Sequence, residues 1–216
     1  MEIFNVIVRF FQAGGLFMYP IVAIMTLGVA ITIERFICLG RVRSANRKAW
    51  KELQPVLARG DYRQATAMTA ESDAVISKVL NYGLSRIGTT NRRDDIEMAM
   101  EEGLLEVVPT LEKRTHYLAT FANVATLMGL LGTIAGLIQA FTSVANASAA
   151  EKADALSAAI SVAMNCTAFG LLVAIPLVLI YSVLQSKTTE LVDGLEMAVV
   201  KSVNALMKRD PVETVA

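Results

Sequence analysis

The chain has 216 residues, of which 54% are hydrophobic, and its mean hydropathy is +0.50. Ordinary soluble domains average roughly 45–50% apolar residues, so this composition favours an integral membrane protein. Twenty basic residues balance twenty acidic ones, and because no basic patch dominates, a nucleic-acid partner is not expected.

Three stretches without charged residues are long enough to cross a bilayer, since about 20 apolar residues suffice. They lie at 14–33, 117–150 and 155–186. We therefore predict an all-α integral membrane protein with three transmembrane helices, two of them extending far into the cytoplasm, and a helical cytoplasmic domain. The predicted segments, in chain order, are an amphipathic periplasmic-surface helix (1–13), transmembrane helix 1 (14–36), the cytoplasmic helical domain (37–115), transmembrane helix 2 (116–146), a periplasmic turn (147–155), transmembrane helix 3 (156–186), and a cytoplasmic C-terminal helix and tail (187–216).

The positive charges are distributed unevenly along the chain. Of the 20 Lys and Arg residues, only Arg9 and Lys152 lie outside residues 34–116 and 187–216. By the positive-inside rule, this asymmetry predicts a periplasmic N-terminus and a cytoplasmic C-terminus. Membrane lipids would surround the three spans.

Apolar positions recur at helical spacing in the cytoplasmic segment, so this segment is predicted to be folded. Gly and Asp residues mark a break between its helices. The predicted helices cover about 45–58, a segment beginning near Tyr62 after the break at Gly60-Asp61, and 74–87, which carries Ile76, Val79, Leu80 and Leu84 on one face and is followed by a turn at 89–91.

The second and third spans are predicted to continue as helices into the cytoplasm. From Asp94 an apolar stripe leads into the second span, and Pro109 would kink this long helix. Beyond Lys187 a stripe continues the third span. A thin monomer could not bury stripes of this length, so we expect an oligomer.

Small residues on the second and third spans favour close helix packing. Gly132 and Gly136 are four residues apart, the small-xxx-small arrangement that lets helix backbones approach each other. A proline is tolerated in a membrane bundle, where neighbouring groups satisfy the freed backbone atoms. The residues that we assign to helix packing are Gly129, Gly132, Gly136, Gly170, Pro176 and the free thiol of Cys166.

Four polar side chains inside these two spans are candidates for an ion pathway: Thr133, Thr167, Asn165 and Ser161. Polar residues inside a membrane tend to be functional, yet each could instead join two helices by a hydrogen bond worth about 0.6 kcal/mol. Both interpretations stay open. Neither span contains Asp, Glu, Lys or Arg, and a proton path normally needs a titratable group near the midplane. A carboxylate would therefore come from another subunit.

Sequence patterns for catalysis and cofactor binding are missing. There is no nucleotide-binding loop, no nucleophile with its base and no metal-ligand spacing, and His116 is the single histidine. We therefore expect neither an enzyme nor a cofactor or metal site. A solute carrier is disfavoured, because three spans provide no inverted repeat.

Two stretches resemble motifs of the MotA/TolQ/ExbB proton-channel family. Residues 118–138, which include Gly-Leu-Leu-Gly-Thr-Ile-Ala-Gly, are similar to its second-span motif. Residues 167–176, Thr-Ala-Phe-Gly-Leu-Leu-Val-Ala-Ile-Pro, resemble its third-span motif. The Glu34-Arg35 pair and the Gly60-Asp61 loop also fit, and the similarity covers nearly the whole chain. The ExbB/TolQ branch is the closest, because the MotA branch has four spans.

The resemblance implies a homopentamer around a dimer of a single-span ExbD/TolR-like subunit, with a TonB/TolA-like periplasm-spanning protein as a further partner. The single-span partner would carry the ion-binding aspartate, and Thr133 and Thr167 would match the family's pore threonines. The resemblance also implies the bacterial inner membrane as the location of this multi-pass chain. The proton motive force would then turn the partner dimer and energise transport or work across the envelope. The alternatives are a structural membrane scaffold without ion conduction and, within the same class, a TolQ-like envelope-maintenance subunit or a motility stator subunit.

The chain departs from the family pattern at two positions. Val162 stands where the ExbB/TolQ branch usually has a glutamate, five residues before Thr167, and Thr126 stands where the second-span motif commonly has a proline. Without the glutamate, Asn165 and Ser161 are the expected sources of polarity in the third span.

Overall fold

A computed structural model describes residues 14–87, 92–146, 148 and 151–207. The predictions for the surface helix at 1–13, the turn at 89–91, most of the connection at 147–150 and the tail from 208 lie outside the described residues. The described residues form six α-helices, which are α1 Met18–Arg59, α2 Tyr62–Glu71, α3 Val75–Leu84, α4 Arg93–Glu112, α5 Thr115–Asn146 and α6 Lys152–Met207.

Three of the helical segments are long and apolar enough to cross a membrane, with windows of mean hydropathy 2.0, 1.8 and 2.3 in α1, α5 and α6. The predicted all-α class with three candidate spans is confirmed. Two of the three helices continue well beyond their apolar parts: α1, with 42 residues, and α6, with 56. The long α6 agrees with the prediction for the third span. The other long helix contains the first span, whereas the sequence pattern predicted that it would contain the second.

The second span is not continuous with the helix before it, so the prediction of one long helix kinked at Pro109 is wrong. Pro109 lies inside α4, and the helix ends three residues later, at Glu112. Lys113 then leaves the helical conformation, with a ψ of 135°, and Arg114 takes a left-handed φ of 69°. The guanidinium of Arg35 donates a hydrogen bond to the Leu111 carbonyl oxygen. In a continuing helix that oxygen would accept the amide of residue 115, so Arg35 satisfies a carbonyl that the break leaves open.

The predicted break at Gly60-Asp61 is present. Gly60 has a φ of 76°, a left-handed conformation that suits glycine at a helix end. The Asp61 carboxylate then accepts a 3.0 Å hydrogen bond from the Gln64 amide and caps α2. Before this break, α1 runs without interruption through the predicted span and the helix predicted at 45–58.

Residues 35–113 and 184–207 form one compact unit, which we call the helical domain. Its core includes the predicted face of α3, and Val79 and Leu80 are fully buried there. The Asn46 side chain accepts a 3.1 Å hydrogen bond from the Ile76 amide at the start of α3. On the domain surface, the Tyr82 hydroxyl donates to the Glu106 carboxylate, and this hydrogen bond raises the pKa of Tyr82 above its ordinary value.

Residues 14–34 and 114–183 form the second unit, which we call the span bundle. Small side chains line its interior, where Ala122, Ala125 and Ala140 are buried. Large apolar side chains point outward instead, and Leu127 and Phe141 are more than 60% exposed. Exposed apolar surface of this kind marks contact with lipid or with another protein. The candidate functional side chains are therefore the polar ones of α5 and α6, at and around the contact between these two helices.

Candidate functional site

The helices α5 and α6 pack in opposite directions through glycines. Gly170 meets Gly129, Cys166 meets Gly132, and Ala163 meets Gly136, so positions that rise along α5 meet positions that fall along α6. A methyl carbon placed on Gly136 would lie 2.7 Å from the Ala163 β-carbon. Because no side chain separates them, the two backbones approach closely, as small-residue interfaces in membranes allow.

Thr167 connects the two helices directly. Its hydroxyl donates a 2.8 Å hydrogen bond to the backbone carbonyl of Gly129, and it is half-buried. A methyl carbon on Gly129 would lie 3.2 Å from the Thr167 α-carbon. The glycine therefore gives the hydroxyl access to a carbonyl on the neighbouring helix.

Thr133 lies one turn beyond Gly129 on α5. Its hydroxyl donates a 2.6 Å hydrogen bond to the Leu130 carbonyl of its own helix, and the residue is half-buried. A threonine that bonds back in this way is tolerated in an apolar helix, because its polar group stays satisfied.

The two threonines lie on the same side of the helix pair. Each follows directly after a residue of the central contact between Gly132 and Cys166. One step along an α-helix turns the side chain by roughly 100°. Since the two helices run in opposite directions, equal steps turn Thr133 and Thr167 toward one common face.

Asn165 and Ser161 do not join that face. Asn165 precedes Thr167 by two residues, which places it roughly 200° around α6. Val162, on the same side as Asn165, lies 3.3 Å from where a methyl carbon on Gly15 would be, so the segment before α1 packs there. Ser161 is exposed and Asn165 is half-buried. The four predicted pathway residues thus form a threonine pair and a separate amide–hydroxyl pair.

The remaining residues assigned to packing have distinct surroundings. A methyl carbon on Gly170 would lie 2.7 Å from the Ala125 carbonyl oxygen, and one on Gly132 would overlap the Cys166 sulfur. Cys166 is a buried free thiol. Pro176 lies inside the continuous α6, on its exposed surface.

A polar group lies at the end of the span bundle, and the sequence motifs did not predict it. The Glu34 carboxylate lies 3.7 Å from the Arg114 guanidinium. Its other oxygen and the hydroxyl of Thr115, which is fully buried, have no hydrogen-bond partner among the described residues. The signal was present in the sequence, because a Glu and an Arg flank two apolar stretches, but their pairing depends on the approach of two distant segments.

Charged side chains are missing from the middle of α5 and α6, as residues 117–150 and 155–186 contain none. Within the described part of the chain, no group of three or more His, Cys, Asp or Glu side chains could hold a metal ion. The chemistry available at the contact between the helices is therefore that of hydroxyl groups and backbone carbonyls.

Comparison with known proteins assigns a family to this arrangement. Residues 71–197 match the sequence profile described as the MotA/TolQ/ExbB proton channel family. This match includes both threonines and the glycines between α5 and α6.

Individual relatives agree with the family match. A putative biopolymer transport protein ExbB homolog of Methanothermobacter thermautotrophicus is 27% identical over 199 residues, covering 91% of this chain and 69% of the relative. The ExbB-like 3 protein of Synechocystis sp. is 26% identical over 81% of this chain and 83% of its own length. The Tol-Pal system protein TolQ of Haemophilus influenzae is 36% identical over 39% of this chain and 36% of its own length.

Proposed function

Because the chain belongs to the MotA/TolQ/ExbB proton channel family, we propose that it is the ring-forming subunit of an inner-membrane motor driven by the proton motive force. Five copies surround a dimer of a single-span ExbD/TolR-type partner and energise transport or work across the cell envelope. Relatives named as biopolymer transport proteins, which cover most of this chain, support the transport role. In this arrangement residues 37–115 and the C-terminus are cytoplasmic, and the N-terminus is periplasmic.

One observation carries the proposal. Thr133 and Thr167 face the same side of the α5–α6 pair, and the residues that pack against the segment before α1 lie on the other side. A ring that directs this common face inward lines its centre with one threonine pair from each copy. Asn165 and Ser161 then serve packing or polar contacts away from the ring centre.

Protons need a titratable group to cross the centre of a membrane. The middles of α5 and α6 have none, so in the proposed motor the carboxylate belongs to the single-span partner. The threonine hydroxyls of the ring provide donors and acceptors beside that carboxylate as the partner turns. The ring alone is a poor conductor.

A structural scaffold is the second candidate, and one observation favours it. Both threonine hydroxyls already bond to backbone carbonyls, that of Thr167 to α5 and that of Thr133 to its own helix. The Thr167 bond joins two membrane helices and is worth about 0.6 kcal/mol on average, while the Thr133 bond keeps its hydroxyl satisfied within α5, so both can serve a scaffold without ion conduction. Within the motor class, envelope maintenance is an alternative task to transport, and the relative named TolQ supports it.

Flux measurements in liposomes separate the motor from the scaffold. The purified chain is reconstituted alone, with its single-span partner, and with a partner whose intramembrane Asp is replaced by Asn. A proton gradient and a sodium gradient are applied to each preparation. If the chain is a motor subunit, proton flux should be found only in the preparation with the intact partner. Equal flux in all three preparations, or none in any, contradicts it.

A further inference from the structure

The helical domain has opposite charges on two of its helices. The helix α4 contains seven acidic residues and one arginine. Residues 35–59 of α1 contain seven basic residues and one glutamate. The net charge of zero for the whole chain conceals this separation, which gives each copy one acidic and one basic region.

An apolar groove of about 580 Å³ lies between α4 and α6, and we call it the acidic groove. Its floor is aliphatic, with Leu104 and Val199, and its charged side chains are all acidic: Glu97, Glu101 and Glu196. Leu105 is 77% exposed at its edge. Glu97 pairs with Arg93 on its own helix, whereas Glu101 and Glu196 have no ion-pair partner among the described residues. An apolar surface with unpaired carboxylates suits a partner that is both apolar and basic.

A second groove of about 190 Å³ lies between α1 and α6, and we call it the basic groove. Arg43, Arg47 and Lys201 line it together with the apolar side chains of Trp50 and Met197. Arg43 forms a 2.6 Å ion pair with Glu190. Arg47 and Lys201 have no ion-pair partner within the described part of the chain. The basic groove is therefore both apolar and positively charged, which are the two properties that complement the acidic groove.

The two grooves lie on opposite sides of α6. Glu196 lines the acidic groove and Gly194 the basic one. Two residues along a helix correspond to a rotation of roughly 200°. Val199 and Lys201 are also two residues apart, and Val199 lines the acidic groove while Lys201 lines the basic one. One copy can therefore be contacted on both grooves at once, by two different neighbours.

We propose that the acidic groove of one copy binds the basic groove of the next copy, and that this head-to-tail contact closes the helical domains into a ring. A two-fold contact would place each groove against its own equivalent and bring like charges together, whereas a head-to-tail contact pairs Glu101 and Glu196 with Arg47 and Lys201. The inference rests on the proposed ring and adds which surfaces join its subunits.

Charge reversal in the full-length chain tests the contact. In detergent, native mass spectrometry and mass photometry measure the concentration at which the ring dissociates. The double variant Glu101→Lys with Glu196→Lys should raise this concentration at least tenfold, and so should Arg47→Glu with Lys201→Glu. Combining all four changes should restore most of the ring, because the charges again oppose each other. The matched control is Glu102→Lys, since Glu102 is exposed on α4 and does not line the groove.

Cross-linking gives an independent measurement. Copies carrying Glu101→Cys and copies carrying Arg47→Cys, both with Cys38 and Cys166 replaced by alanine, are co-expressed in one cell. Because the cytoplasm keeps thiols reduced, membranes are isolated and treated with copper phenanthroline and air as the oxidant. A disulfide between the two kinds of copy is then expected, and the pair Glu102→Cys with Arg47→Cys should give none.

The outcomes separate the contact from the ring itself. A wild-type chain that is monomeric at every concentration overturns the proposed function and this contact together. A wild-type ring that charge reversal leaves intact, without the cross-link, overturns the contact alone. If reversal instead leaves the ring intact and removes a co-purifying basic protein, the groove binds that protein and the second copy is excluded.

Discussion

The hydroxyl of Thr167 donates a 2.8 Å hydrogen bond to the carbonyl of Gly129 on the neighbouring helix. Glycine at 129 permits this approach, because a β-carbon there would lie only 3.2 Å from the α-carbon of Thr167 on α6. The same bond holds the threonine at the edge of the helix contact, on the face that it shares with Thr133. The association of α5 with α6 and the orientation of the Thr167 hydroxyl thus share one contact.

Removing either hydroxyl should weaken ion-driven function and leave assembly intact. Thr167→Ala loses the hydrogen bond to α5, about 0.6 kcal/mol for a membrane helix pair, and Thr133→Ala loses only a hydrogen bond to its own helix. Flux through the ring with its partner is the measurement. Thr120→Ala is the matched control, since Thr120 is exposed on α5 and bonds back to His116, roughly 220° around the helix from Thr133. Full flux in both threonine variants would remove the pathway assignment, and loss of assembly would favour the scaffold.

Adding a methyl group should have opposite effects at Gly170 of α6 and Gly40 of α1. In Gly170→Ala the new carbon would lie 2.7 Å from the Ala125 carbonyl oxygen, so α5 and α6 must move apart, at a cost of about 1–3 kcal/mol. In Gly40→Ala the new carbon meets nothing within 4 Å, and the better helix propensity should stabilise by about 0.5–1 kcal/mol. Thermal unfolding in detergent measures both. Equal effects at the two positions would mean that the helices are not closely packed at Gly170.

The Arg35 guanidinium should stabilise the end of α4. Arg35 is only 3% exposed and donates to the Leu111 carbonyl. Arg35→Met leaves that buried carbonyl without its partner, which should lower the free energy of unfolding by about 1–3 kcal/mol. The comparison variant is Arg114→Gln, which breaks only the half-exposed pair with Glu34 and should cost less than about 1 kcal/mol. A larger loss at Arg114 than at Arg35 would reverse this ranking.

Cysteine labelling should place the two ends of the spans on opposite sides of the membrane. The variants Ser148→Cys and Lys51→Cys introduce thiols at exposed positions, in a background without Cys38 and Cys166. In intact cells an impermeant maleimide should reach position 148 and not position 51. This follows from the concentration of Lys and Arg in 34–116 and 187–216. The reverse pattern would invert the proposed orientation.

Restoring the family's glutamate should not increase activity. Val162 lies on the side of α6 that packs against the segment before α1, away from the face shared by the two threonines. Val162 is half-buried, so the carboxylate in Val162→Glu would lie in an apolar helix contact without a partner, which is unfavourable. We expect less folded protein and no gain in flux. Val162→Gln separates the effect of size from that of charge. Higher flux specific to the glutamate would place Val162 on the ion path.

Local patterns were sufficient to predict much of this molecule. The charge-free stretches predicted three spans, the Gly60-Asp61 break was found in place, and the buried face of α3 follows from its apolar spacing. The two quoted motifs indicated a family that the match over residues 71–197 confirms. These features depend on residues close together in the chain.

Long-range contacts account for what the sequence did not predict. The helix break at Lys113 and Arg114 coincides with a hydrogen bond from Arg35, 76 residues away from Leu111. No local sequence pattern predicts this break. The separation of Asn165 from the threonine face has a different cause. The two-residue spacing from Thr167 already implied it, but the central contact between Gly132 and Cys166 was needed to show which side faces α5.

The contact between Gly132 and the Cys166 sulfur has a chemical consequence. An alkyl group or an oxygen atom added to this sulfur would occupy space that the α5 backbone already fills. Thiol reagents should therefore modify Cys166 only when α5 and α6 separate, while Cys38, which is half-exposed, reacts without such an event. The ratio of the two alkylation rates would report, without any engineered label, how often the helix pair opens during turnover.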